Sequence, residues 1–115
     1  MNTNEQTQSA APRPAGVLER LQMKNRQRAE YLGKIEDWSP SEWATAVSGE
    51  VGELCNEITH QLRGDTVPKE NFENEAADIV IYLDLLCQRM DIDLPNAIIK
   101  KFNKTSDKKS IDIKL

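Results

Sequence analysis

Two acidic pairs carry the residue types in this chain best suited to chemistry: Glu50 and Glu53 in "GEVGELCNE", and Glu75 and Asp78 in "ENEAAD". Each pair is spaced i, i+3, so on a helix its members share one face, a turn apart. Glu50 falls between Val47 and Leu54 in helical steps of three and four, and Glu75 stands in the same relation to Phe72 and Ile79. The acids therefore lie within or beside an apolar stripe, not opposite it. Crowded carboxylates repel, and partial loss of water makes each ionised form costlier. Protonation of some of them, or a bound cation, relieves that cost. An oxygen donor set without histidine or thiolate suits a hard divalent ion, Mg²⁺ or alternatively Mn²⁺, over zinc or copper. Such ions commonly bridge to the phosphates of a substrate. Gly49, Gly52, Ala76 and Ala77 flank the acids and keep bulk away. The plainer reading, a solvated helix edge paired with lysines, weakens when the motif recurs on two successive apolar helices.

The elements that must position these acids are helical. Val17, Leu18, Leu21, Tyr31, Leu32 and Ile35 form one broken apolar stripe, predicting a first helix over Val17 to Glu36 with a polar middle. "DWSPSEW" is a helix start: Ser39 as N-cap, Pro40 at the first helical position and Glu42 completing a capping box, with Trp38 poised to pack back on Trp43. The second helix is predicted to run from Pro40 to about Arg63 on Val47, Val51, Leu54, Ile58 and Leu62, until "GDTVP" turns the chain. A third runs from Pro68 to Met90. Its "IVIYLDLLC" suits a strand by propensity, but residues 69 to 94 lack any glycine or proline, and that length favours helix. Asp93 caps a short fourth helix ending near Lys104. Twenty-one residues separate Glu53 from Glu75, enough for the second and third helices to return antiparallel with their acids facing.

Composition sets the class. The chain has 115 residues, 38% hydrophobic and 30% charged, with a net charge of -4 and five each of glycine and proline. That describes one all-α domain, residues 16 to 105, between a polar N-terminal tail (1 to 15) expected to be disordered and a C-terminal tail (106 to 115). The acidic balance argues against a nucleic-acid partner, and no apolar run is long enough for a membrane span. The absence of a signal-peptide pattern points to the cytosol.

In order, "GEVGELCNEI", "ENEAADIVIYL" and "DIDLPNAIIKKFNK" resemble the MazG-like family of all-α nucleoside triphosphate pyrophosphohydrolases over residues 38 to 106. The family's ExxE, spacer, ExxD pattern reads here as Glu50-Val-Gly-Glu53 and Glu75-Ala-Ala-Asp78. The resemblance implies a four-helix-bundle-like fold and Mg²⁺-dependent cleavage of an NTP or dNTP to monophosphate and pyrophosphate, for house-cleaning or pool control. It implies a homo-oligomer, dimer or tetramer, in which a neighbour walls part of the site. It makes Glu50, Glu53, Glu75 and Asp78 metal ligands, with the catalytic base among Glu50 and Glu53. Lys101 and Asn103 in "KKFNK" match positions that contact phosphates or sugar, and Trp38 and Trp43 are candidates to stack on the base. One departure stands out: many members have a glutamate where this chain has Gly49, although relatives preferring deoxycytidine-type substrates carry glycine there. The alternative is a catalytically weak helical oligomer that only binds Mg²⁺ and nucleotide.

Other residues have structural readings. Tyr82 and Phe102 are expected in the core, Cys55 and Cys87 as reduced core residues, and Asp84 facing water or a partner subunit. Glu57 and His60 make half of a di-iron ExxH signature, but the chain has a single histidine.

Overall fold

The computed structural model describes residues 16–33 and 37–115; the expected tail at 1 to 15 and the last residues of the first predicted helix, 34 to 36, lie outside them. Four helices and no strand form among the described residues: α1 (Val17–Tyr31), α2 (Pro40–Leu62), α3 (Lys69–Arg89) and α4 (Leu94–Lys108).

Local chemistry sets their ends. Ser39 Oγ accepts from the Glu42 amide at 3.2 Å and donates to Glu42 Oε1 at 3.3 Å, with Pro40 at the first turn. α2 closes with Gly64 at a φ of 99°, where the Gly64 and Asp65 amides donate to Gln61 O and His60 O. Those paired bonds satisfy carbonyls that a helix end leaves free, at a φ that costs glycine little. The same closure ends α3 at Asp91 and α4 at Ser110. α1 stops at Tyr31, ahead of the predicted Glu36, because Gly33 takes a φ of 69° and its amide caps Glu30 O. α4 runs on to Lys108, past the predicted helix end near Lys104, since nothing before Ser110 breaks the helix.

α2 and α3 are antiparallel: Trp43, early in α2, meets Tyr82, late in α3, while Glu50 meets Glu75 and Asp78 nearer the turn. The principal packing runs in a row, α2 on α3, α3 on α1, and α1 on α4. The core centres on Ala29 from α1, Trp43 from α2 and Leu85 from α3, with Trp38, Tyr82 and Leu86 against them. Trp38 and Trp43 pack with ring centroids 4.5 Å apart, as their spacing predicted.

Beside this core α1 and α3 are joined by polar groups. Asp84 is 1% exposed, and its Oδ2 accepts from Asn25 Nδ2 at 2.9 Å and Gln88 Nε2 at 2.8 Å. The expectation that Asp84 faces water is therefore corrected: α1 covers it and supplies an amide donor in place of solvent. Two further expectations fail. Cys55 is exposed although Cys87 is buried, and Phe102 keeps 43% of its surface in solvent. Both sit on helix faces that no other helix of the described chain covers, as do Val51, Ile58 and Leu62 on α2 and Ile98 and Ile99 on α4.

Candidate metal centre

The antiparallel register brings the two acidic motifs together. One carboxylate oxygen from each of Glu50, Glu75 and Asp78 lies within 4.8 Å of the others, and all three residues are half-buried. Glu53 is exposed at the rim, close enough for its charge and hydrogen bonding to act on Glu50 and Glu75. Burial raises the Glu50 carboxyl above its ordinary range, and the charges of Glu53 and Asp78 raise it further. The Glu75 carboxyl is pushed up to about 7, first by desolvation, then by Glu53 and Glu50.

The buried Oε2 atoms of Glu50 and Glu75 have no hydrogen-bond partner. A carboxylate oxygen withdrawn from water without a donor is costly, and no lysine or arginine bridges to this cluster among the described residues. A hard divalent cation is the group that fits such a donor set: all oxygen, all anionic, with no nitrogen or sulfur beside it. Gly49 and Gly52 border open space, for an added Cβ at either would meet nothing within 4 Å. Histidine plays no part. His60 sits at the end of α2, exposed, with Nδ1 3.3 Å from Asp65 Oδ2.

Next to the acids is a cavity of about 150 Å³ whose lining includes Asp78, Trp38, Trp43, Tyr82, Asn25 and Arg28. Both tryptophans expected at a base-binding surface thus line a space that Asp78 also lines. Trp43 is 2% exposed and packs on Tyr82 with centroids 6.3 Å apart, so it builds the core as well as the cavity wall. Asn25, Arg28 and Tyr82 were not singled out as site residues. The signal for Asn25 was its place four residues from both Leu21 and Ala29, on the face that packs inward.

Lys101 and Asn103 are elsewhere. Lys101 lines an apolar groove on α4 with Leu94, Ile98 and Phe102. Asn103 holds the chain end, its Oδ1 accepting from the Leu115 amide at 2.8 Å and its Nδ2 donating to Leu115 O at 3.3 Å. Neither α4 residue lines the cavity or joins the carboxylate cluster of its own chain.

An all-α chain that gathers ExxE and ExxD acids from antiparallel helices beside an aromatic cavity resembles the MazG-like proteins. Comparison with known proteins supports that class: the chain is 34% identical to dCTP pyrophosphatase 1 of Mus musculus, over a 113-residue alignment covering 85% of this chain. The chain spans 65% of that relative's length. No protein-family model matches the chain. No described helix is long and apolar enough to cross a membrane.

Proposed function

We propose that this protein is a Mg²⁺-dependent nucleoside triphosphate pyrophosphohydrolase, cleaving between the α- and β-phosphates to give a monophosphate and pyrophosphate. The observation that carries this reading is the convergence of Glu50, Glu75 and Asp78 oxygens within 4.8 Å, with two of those oxygens buried and unpartnered. Mg²⁺, or Mn²⁺ in its place, would be held by these three with Glu53, supplying charge neutralisation to a polyphosphate and acidifying water.

The chain's own groups do the rest. The half-buried acids would fix the cation, and so the place of the phosphate end of the substrate, on the α2–α3 edge. Glu53 is the most exposed of the four, which suits it to take the proton of the attacking water. Glu50 is the second candidate, its carboxyl already raised by burial toward the working range of a base. The cavity edged by Trp38, Trp43 and Tyr82 receives the base beside Asp78 and excludes water from one of its faces.

The uncovered apolar faces of α2 and α4 support a homo-oligomer, through which Lys101 and Asn103 of one copy reach the phosphates or sugar in another. The activity suits control of a cytosolic nucleotide pool, and the mouse relative's name makes dCTP the first nucleotide to try. The test is pyrophosphate release from a panel of NTPs and dNTPs with and without Mg²⁺, for wild type and Glu53→Gln. Release that needs the metal and disappears in the variant supports the reading; no turnover of any nucleotide overturns it. A second reading is kept because no carboxylate occupies position 49, which faces open space. In that case the protein binds Mg²⁺ and nucleotide with little turnover, and calorimetry would detect tight binding without product.

A further inference from the structure

Of the residues lining the cavity beside the acids, two are charged: Asp78 on α3 and Arg28 on α1. Burial orients that cavity. Asn25, Ala29, Trp43 and Leu85 are buried and form its floor, whereas Arg28 is exposed and Asp78 half-buried, so these two stand toward its mouth. A ligand lodged on the floor passes out beside Arg28 and Asp78.

The register of α1 on α3 brings the pair together. Gln88 Nε2 donates to Gln22 O at 2.8 Å, and Asn25 Nδ2 donates to Asp84 Oδ2 at 2.9 Å and to Ile81 O at 2.8 Å. Higher numbers on α1 meet lower numbers on α3, so the two helices are antiparallel. Arg28 lies three residues beyond Asn25, about 4.5 Å along the axis, and comes level with the turn of α3 between Asp78 and Ile81. Its side chain is uncommitted: no acid or other acceptor of the described residues pairs with it. Nearby arginines are engaged, Arg26 Nε with Glu30 Oε1 at 3.0 Å and Arg89 Nε with Trp38 O at 3.0 Å. A cation in the last turn of a helix complements the free carbonyls there, and Arg28 does so for α1. That role is met anywhere around the helix, and only the side toward α3 borders this cavity.

We propose that Arg28 is a phosphate-binding cation of this site, its guanidinium donating hydrogen bonds to non-bridging oxygens of a triphosphate held on its other side at the carboxylates. The inference rests on the pyrophosphohydrolase reading for the presence of that triphosphate. A planar fork of N–H donors matches two phosphate oxygens at once, and its charge does not titrate away. Arg28 breaks no bond. It aligns the phosphate chain and offsets the charge that passes to the leaving pyrophosphate. It supplies, from the same chain, a cation that Lys101 on the far groove of α4 does not bring to its own acids.

The experiment compares wild type, Arg28→Ala and Arg28→Lys on the nucleotide turned over fastest in the panel, or on dCTP if none is. Pyrophosphate release gives kcat/KM. Calorimetry with Mg²⁺ present measures binding of the α,β-methylene analogue of that nucleotide and of its nucleoside, which has no phosphate. Arg28→Ala is expected to lower both kcat/KM and affinity for the analogue by about 10- to 100-fold, the worth of hydrogen bonds to a charged group. Affinity for the nucleoside should stay as in wild type, and Arg28→Lys should recover part of the loss. Equal losses on analogue and nucleoside overturn the proposal, because that is the behaviour of a residue that only shapes the cavity. So does an unchanged kcat/KM, and so does a wild type that binds the analogue no more tightly than the nucleoside. If Arg28→Ala does not fold, the same comparison in Arg28→Lys decides. If no nucleotide is hydrolysed, the pyrophosphohydrolase reading fails, and the binding difference between analogue and nucleoside still judges Arg28.

Discussion

α3 carries two acidic regions that meet opposite circumstances. Asp84 is almost wholly buried, yet two side-chain amides donate to its Oδ2, from Asn25 on α1 and Gln88 on its own helix. Glu75, about two and a half turns earlier, is only half-buried, but its neighbours are Glu50 and Glu53 and its inner oxygen has no donor. Depth of burial does not separate these two regions. What separates them is whether the surroundings bring donors or more carboxylates. α1 crosses α3 at Asp84 and satisfies it, whereas α2 meets α3 at Glu75 with further acids and leaves a demand that a cation would meet.

If that contrast is right, removing an acid does opposite things in the two regions. The largest expected effect is on activity. Asp78→Asn should lower Mg²⁺-dependent pyrophosphate release by about 10³-fold, the several kcal/mol of charge stabilisation a metal ligand supports, with little change in melting temperature. A variant retaining most of its rate would remove Asp78 from the metal set.

Asp84→Ala should spare the chemistry of the acids but unfold the protein more easily. It removes one of the two acceptors that the Asn25 and Gln88 amides each have, leaving them Ile81 O and Gln22 O, a cost of about 2 kcal/mol by urea denaturation. No change in stability would show that the buried link between α1 and α3 is dispensable.

The third expectation concerns pH. Glu75 is raised to about 7 in the folded, metal-free chain from an ordinary 4.5, so the folded state holds its proton longer than the unfolded state does. Stability from this group is therefore fully present below about pH 4.5 and is lost as pH rises through 7. Melting temperature of the metal-free protein should fall across that window, and Mg²⁺ should restore it at the upper end, where the ionised carboxylates bind best. A flat profile, or one that Mg²⁺ leaves alone, would count against the cluster as a cation site.

The smallest effect sharpens the comparison most. Glu75→Gln should raise the melting temperature of the metal-free protein at pH 8 while reducing the gain from added Mg²⁺. A fall would mean that Glu75 has stabilising partners, as Asp84 does.

Much of this could be read along the chain. The Ser39, Pro40 and Glu42 cap, the Gly64 stop and the paired i, i+3 acids are each written within a turn or two of helix, and each appears at or within a residue of its expected place. The end of α1 was misplaced because an apolar stripe continues past Gly33, and the glycine's backbone outweighed the pattern. Cys55 and Phe102 were misread because an apolar residue at helical spacing tells which face it occupies, not whether another helix arrives to cover it. Lys101 and Asn103 match a motif, but α4 packs chiefly on α1, away from the acids of its own chain.

The amino-acid order by itself determined the helices and which acids share a face, since periodicity and capping act between residues three or four apart. Tertiary structure alone decided that Asn25 should reach Ile81 and Asp84, 56 and 59 residues away, and be left with one open oxygen on the cavity that Asp78 also lines. Those contacts depend on how α1 lies against α3, and no local pattern in either helix records that orientation.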